Sequence, residues 1–336
     1  MSKPLKTLVI GTSLTTASDD IVRTGVALAR ATGATPWLVH AYPPLIGTYG
    51  AGVDAAWTEE QVRSLGELIH EQARRTGLSE LAGFSLDQVL LVLGSAHREI
   101  VELARGVQAD LILVGAAEST RGLLGSTADR VIRKAACPVF AVRTEAPFPP
   151  YRVEIPVDLS PISAHALRRG LDLLVQIGVP HTESEALFVL NPFEIGGSFT
   201  FTPEQIQRFA GEELSRFVAG NTHEGARPRS TRVRIGYPQE EILATLAERG
   251  ADLAVLGTHG RSGFERLMLG SVAAGVLRSA RCNLLIVPPD ASGRDDAATE
   301  SREEREGADW SYVSDESPAA AAKAASPEFV GEYWFG

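Results

Sequence analysis

Four glycines and a serine, Gly257, Gly260, Gly263, Gly270 and Ser271, lead from the last residue of the apolar run "ADLAVLG" towards the helix-like run "AAGVLRSARC". Glycine lets the backbone turn at positive φ and lets N–H groups approach a ligand with no Cβ in the way. Successive free N–H groups form an anion-binding nest, and a helix starting near Ser271 adds its dipole and unpaired donors. The Ser271 hydroxyl can donate to a phosphate oxygen. Together these groups suit a di- or triphosphate. The same glycines would also serve a plain tight turn from strand to helix. The loop is not of the Walker type: the only lysines are Lys3, Lys6, Lys134 and Lys323, so none follows the glycines. Arg261 is the nearest cation and reads equally well as a solvated surface residue. His259 reads either as a ligand contact or as a polar loop residue bonded to backbone. No nucleophile–base pair and no metal-ligand set stands out by spacing.

The element around this loop occurs twice. Gly125, Ser126 and Cys137 are matched 145 positions later by Gly270, Ser271 and Cys282. Such self-similarity predicts a tandem repeat. In the first repeat, strands are expected at about Thr7–Gly11, Thr35–Ala41, Gln88–Leu93, Asp110–Val114 and Pro138–Arg143. In the second they are expected at about Val153–Val157, Glu185–Leu190, Thr231–Ile235, Asp252–Leu256 and Asn283–Val287. These are short apolar runs, as parallel strands covered on both faces should be. Helices alternate with them. "DLSPISAHALRRGLDLLVQIG" offers Ser160 as N-cap, Pro161 at the first helical position, and Leu167, Leu171 and Leu174 on one face. Thr58 with Gln61 and Thr202 with Gln205 fit capping boxes. The alternation predicts βαβ units in an α/β, doubly wound parallel sheet with helices on both faces. In such sheets ligands sit beyond the carboxyl ends of strands, where the strand order switches. The boundaries read 1–145 for the first domain, 151–290 for the second and 291–336 for a tail. The linker "TEAPFPPY" (Thr144–Tyr151) carries three prolines and keeps the halves close but distinct.

At 336 residues the chain suits about two domains. It has no apolar run long enough to span a membrane, and its start, "MSKPLKTLVIG", enters a strand without a small-residue cleavage site, so no signal peptide is expected. The two cysteines each begin an apolar strand and read as buried small hydrophobes. A cytoplasmic location follows. Of the net charge of −10, the residues from Ala291 onward hold eleven acidic and four basic groups, a net of −7. No basic surface suited to nucleic acid stands out. The tail composition is that of a disordered segment.

The spacing G-x2-G-x9-G-S, filled by Gly257, Gly260, Gly270 and Ser271, together with "IPVDLS" (Ile155–Ser160), resembles the universal stress protein family over about Thr7–Val287. The resemblance implies two tandem five-stranded parallel sheets of strand order 3-2-1-4-5. It also implies ATP held in the second domain, with or without Mg; ADP and AMP stay open. Asp158 would hold the adenine, Pro156 and Val157 would line the base, and a residue just past the second strand, Asn191, would cover the adenosine. Gly257, His259, Gly260, Gly270, Ser271, Val272 and Ala273 would contact ribose and phosphates. An Asp at the carboxyl end of a first strand sits at the switch point, where it can accept from the adenine amino group; it can also simply cap the helix that "DLSP" starts. Members of the family dimerise through the fifth strand, so a tandem chain would pair its halves internally, with further homodimerisation open.

The first repeat departs from this pattern. Thr12 is expected where the Asp would be, Glu118 replaces Gly260, and Gly115 to Gly125 spans three positions fewer than Gly257 to Gly270. A carboxylate facing a phosphate at about 4 Å costs about 4 kcal/mol per charge pair at an effective dielectric near 20. The first repeat is therefore expected not to bind ATP in the family manner. The leading expectation is a non-enzymatic ATP-binding module in stress response or signalling. The alternatives are a slow ATPase or nucleotide-handling enzyme using the same site, and a scaffold whose acidic tail recruits a protein. Residues after about Ala291 are expected to be dispensable for folding and nucleotide binding, save that Phe329, Val330, Tyr333, Trp334 and Phe335 crowd the end of the chain. A chain ending at Asp290 separates two roles for them: docking in cis predicts a lower melting temperature at unchanged mass, whereas a partner-binding motif predicts unchanged stability and a lost association.

Overall fold

Apolar strands alternating with amphipathic helices assemble, in a computed structural model, as a three-layer α/β/α molecule. The structure describes residues 4–43, 55–116, 126–143, 147–178, 183–191, 202–258 and 269–289. The strands are β1 (Thr7–Gly11), β2 (Thr35–Tyr42), β3 (Val89–Leu93), β4 (Leu111–Gly115) and β5 (Val139–Val142) in the first repeat. In the second they are β6 (Arg152–Val157), β7 (Glu183–Leu190), β8 (Ser230–Ile235), β9 (Leu253–Gly257) and β10 (Asn283–Val287). The helices are α1 (Asp19–Thr32), α2 (Ala55–Arg75), α3 (Ala96–Gly106), α4 (Ser126–Lys134), α5 (Pro161–Gln176), α6 (Pro203–Asn221), α7 (Pro238–Arg249) and α8 (Ser271–Ser279).

Each half has the order 3-2-1-4-5, but the halves do not stay separate sheets. Their fifth strands join antiparallel, giving one ten-stranded sheet in the order β3-β2-β1-β4-β5-β10-β9-β6-β7-β8. Phe140 pairs with Leu285, and these two residues are themselves counterparts at the 145-residue offset. The pseudo-twofold axis therefore passes through this pair, as an isologous dimer interface would require. Joining β5 to β10 removes two sheet edges that would otherwise expose unpaired backbone groups. Phe140 is fully buried and meets Phe148 of the linker edge-on, with ring centroids 5.9 Å apart.

One apolar layer lies under α1, α2, α5 and α6, and the other under α3, α4, α7 and α8. Leu167, Leu171 and Leu174 are buried on one stripe of α5, as their spacing predicts. Ser160 caps α5 through its hydroxyl, which accepts from Ser163 N–H, and Pro161 opens the helix. The Thr202–Gln205 capping box is formed at α6. The Thr58–Gln61 pair does not open α2: the helix already runs from Ala55, so Thr58 lies inside it. Neither Cys137 nor Cys282 is in a disulfide. Cys282 is buried, which pushes its pKa up to about 12 and leaves it inert. Among the described residues no helix is long and apolar enough to cross a membrane. The tail from Ala291 and its aromatic end lie outside the described residues.

Candidate functional site

The strand order switches between β6 and β9. β6 is followed by α5 on one face of the sheet, whereas β9 is followed by α8 on the other. The crevice between such divergent helices lies at the carboxyl ends of the two strands. Val153 pairs with Leu253 and Glu154 with Ala254, so Val157 and Gly257 end their strands at the same level. Val157 also pairs with Phe188 on β7, and Asn191 follows that strand by one residue. Asp158 thus leaves β6 at the level where β9 ends at Gly257, with Asn191 at the same end of β7 and α8 starting after the β9 loop. The sequence expectations that fall on Pro156, Val157, Asp158, Asn191, Gly257, Gly270, Ser271, Val272 and Ala273 gather at one end of three adjacent strands. His259, Gly260, Arg261 and Gly263 lie outside the described residues.

The glycine loop is tied at both ends. Thr258, buried, donates its N–H to Val287 O at 3.1 Å, and its own carbonyl accepts from Gly270 N–H at 2.8 Å. One hydrogen bond therefore closes the loop that leaves β9 and enters α8. No local pattern singles out Thr258, a small polar residue following an apolar strand. The closure has a chemical consequence: the Gly270 N–H is already engaged and is not a donor for a ligand.

Gly270 is the N-cap of α8 and, as a glycine, has no side chain with which to cap it. The first intrahelical bond runs from Ala274 N–H to Gly270 O. The N–H groups of Ser271, Val272 and Ala273 thus point out of the helix start with no intrahelical acceptor. Ser271 is exposed, Val272 half-buried and Ala273 buried. Helix α5, which starts at the same end of the sheet, is the opposite case. There Ser160 caps the helix, and the Asp158 carboxylate accepts from Ser160 N–H at 3.0 Å. Asp158 N–H in turn donates to Ser163 Oγ at 3.3 Å. Leu159, at φ 62, takes up the turn between them. Asp158 therefore does hold the entry to α5, one of the two roles its position allows.

Side chains alternate along β6. Val157 packs in the layer under α5, so Pro156, though buried, faces the opposite layer. Only one of the two side chains therefore faces any one layer.

The first repeat differs more than its loop length suggests. Strand register makes Val9 the counterpart of Glu154: Lys6 and Thr7 N–H both bond Asp110, as Tyr151 and Arg152 N–H both bond Asp252. The positive-φ residues Leu14 and Leu159 also match at this offset. The residue in place of Asp158 is consequently Ser13, and Thr12 stands in place of Val157. This corrects the expectation for Thr12 by one position, because a one-residue shift carries a side chain to the other face. Thr12 instead enters a polar network far from its neighbours in sequence. Its hydroxyl lies 2.6 Å from Gln72 Oε1 and 2.9 Å from Ser18 Oγ. Gln72, fully buried, also donates to Asp19, and Asp19 is held by Arg75 at 2.8 Å. The Arg75 guanidinium holds the Asp19 carboxyl below its ordinary pKa. Glu118 and Gly125 lie outside the described residues.

The family model described as "Universal stress protein family" matches residues 4–143 and again 151–288. A universal stress protein of Methanocaldococcus jannaschii is 31% identical over 142 residues, spanning 40% of this chain and 81% of that protein. One of Mycobacterium tuberculosis is 28% identical over 211 residues, spanning 58% of this chain and 67% of that protein. Among solved structures, a universal stress protein from Archaeoglobus fulgidus superposes with a TM-score of 0.61 at 18% identity. That match covers 85% of this chain and 97% of the solved one.

Proposed function

Since this chain belongs to the universal stress protein family, with two tandem family domains, we propose that it binds an adenine nucleotide, ATP first among them, in its second repeat. One nucleotide is held per chain, at the carboxyl ends of β6, β7 and β9, and its occupancy serves stress response or signalling rather than turnover. The observation that carries this reading is the start of α8. It is a helix end with a glycine N-cap at the switch point, closed off by the Thr258–Gly270 bond, with three outward N–H groups and the Ser271 hydroxyl. Such an end favours an anion. The matching end of the first repeat has lost the carboxylate at the Asp158 position, and its neighbouring Thr12 is consumed by Gln72 and Ser18.

Asp158, Asn191, Gly257, Ser271, Val272 and Ala273 would hold the nucleotide, with Pro156 and Val157 against the base and His259, Gly260 and Gly270 in the loop around the phosphates. Bound nucleotide would supply charge and an adenine edge for these groups to read. Titration calorimetry with ATP is expected to give a stoichiometry near one; a value near two overturns the asymmetry between the repeats. Mass analysis of any molecule co-purifying with the native protein, followed by a hydrolysis time course, separates a binding module from a slow ATPase.

Asp158 offers a sharper test. Asn can still accept from Ser160 N–H, so Asp158→Asn is expected to keep the entry to α5 and the melting temperature. If the carboxylate reads the adenine amino group, the substitution weakens ATP by about 1–3 kcal/mol, and the unaltered protein takes GTP poorly. Equal affinities for ATP and GTP leave Asp158 with its helix-entry role alone.

A further inference from the structure

Arg143 closes β5 in the first repeat, yet its side chain serves the second. Its N–H donates to Asn283 Oδ1 at 2.9 Å, and its guanidinium Nη2 donates to the carbonyl of Leu277 at 3.0 Å. The residue is 7% exposed. Leu277 lies in the last turn of α8, where carbonyls have no intrahelical partner. A guanidinium there satisfies an orphan acceptor and opposes the negative end of the helix dipole. The other end of this helix, about 13 Å away, is the start at Ser271, Val272 and Ala273.

The contact runs one way. At the 145-residue offset the counterpart of Arg143 is Pro288, and that of Asn283 is Pro138. A proline has neither a cationic side chain nor a backbone N–H to give, so α4 receives no equivalent anchor from the second repeat. The half whose own site has been rebuilt grips the far end of the helix in the half whose site is complete.

We propose that Arg143 is a positioning residue through which the first repeat sets the phosphate affinity of the second, and through which nucleotide occupancy is felt at the β5–β10 seam. The proposal rests on the nucleotide reading above. It gives the rebuilt repeat a role beyond covering a sheet edge. By linkage, whatever the anchored helix adds to phosphate binding, bound phosphate returns to the seam.

The test uses the full chain, with Arg143→Met and Arg143→Lys. Calorimetry is run with ATP and, separately, with adenosine, which carries no phosphate. Arg143→Met is expected to weaken ATP by about two- to fivefold, the span of a charge placed at a helix end, and to leave adenosine unchanged. Arg143→Lys restores most of the loss. A purely structural role lowers both affinities together, and that result overturns the proposal. In the unaltered protein, ATP but not adenosine is expected to slow amide exchange at Ala141, Val142 and Arg143. Unchanged exchange at the seam also overturns it, and this measurement decides alone should Arg143→Met fail to fold. If the unaltered protein binds adenosine but gains nothing from the phosphates, the seam coupling falls while an adenine site stands. If it binds neither, the nucleotide reading falls and the coupling with it.

Discussion

Ser271→Glu is expected to abolish nucleotide binding while the melting temperature holds steady or rises by about a degree or two. The two effects have opposite signs because they act on the same helix end. A carboxylate in the first turn of α8 meets the positive end of the dipole, worth about 0.3–1 kcal/mol to the folded chain. The same carboxylate stands where the phosphates would accept from Ser271, Val272 and Ala273. At about 4 Å and an effective dielectric near 20, each pair of like charges costs about 4 kcal/mol, which approaches a thousandfold in affinity. Ser271 is exposed, so the new side chain is accommodated without disturbing the core. Gly260→Glu, which copies Glu118 of the first repeat, is expected to match it in calorimetry. Retained ATP affinity in Ser271→Glu would remove the phosphates from the start of α8. A collapse of stability would show that this end of the helix tolerates no charge at all.

The second large effect lies at the opposite end of β6. Glu154 is fully buried, pairs across the sheet with Glu185, and stands where the first repeat has Val9. Arg249 Nη1 lies 2.8 Å from an oxygen of each carboxylate. Glu185 also receives Arg232 and Ser230, whereas neither oxygen of Glu154 receives an aligned hydrogen bond among the described residues. Proximity of Arg249 without alignment offsets only part of the desolvation cost. Burial therefore dominates, and the nearby Glu185 charge adds to it against the pull of Arg249, Arg232 and Arg234. The Glu154 carboxyl is raised from 4.5 to about 8.

A raised carboxyl makes folding take up a proton. The stability it allows is full below about pH 4.5 and is lost progressively as pH rises towards about 8, where the folded group ionises too. Across that window the whole shift corresponds to about 5 kcal/mol, at roughly 1.4 kcal/mol per unit. Chemical denaturation is expected to show Glu154→Gln gaining on the unaltered protein steadily from pH 5 to pH 8. Glu154→Val, which restores the apolar residue of the first repeat, should flatten the same slope. Parallel stability profiles for all three proteins would mean that Arg249 keeps Glu154 ionised throughout.

Much of the fold was legible in the sequence because its signals are local. Apolar runs of strand length, Ser160–Pro161 at the entry to α5, the Thr202–Gln205 box and the matched Gly–Ser and Cys positions each report on a few neighbouring residues. From these alone come two repeats, the alternation of strand and helix, and parallel strands covered on both faces. The strand order and the set of candidate nucleotide contacts came from the family resemblance. Thr58 misled because a capping box is a pattern of four residues, and the true start of α2 depends on what precedes it.

Only the tertiary structure decided what depends on distant partners. The join of β5 to β10 turns two sheets into one, because two edges with unpaired backbone groups are satisfied best by each other. Register shows that Ser13, not Thr12, answers to Asp158, since side chains alternate and a slip of one residue exchanges the faces. Thr12 with Gln72, Thr258 with Gly270, Glu154 with Arg249 and Arg143 with Leu277 are all pairings that no local pattern announces. A buried polar group must find its partner wherever packing brings one within reach, and that choice is made by the folded chain as a whole.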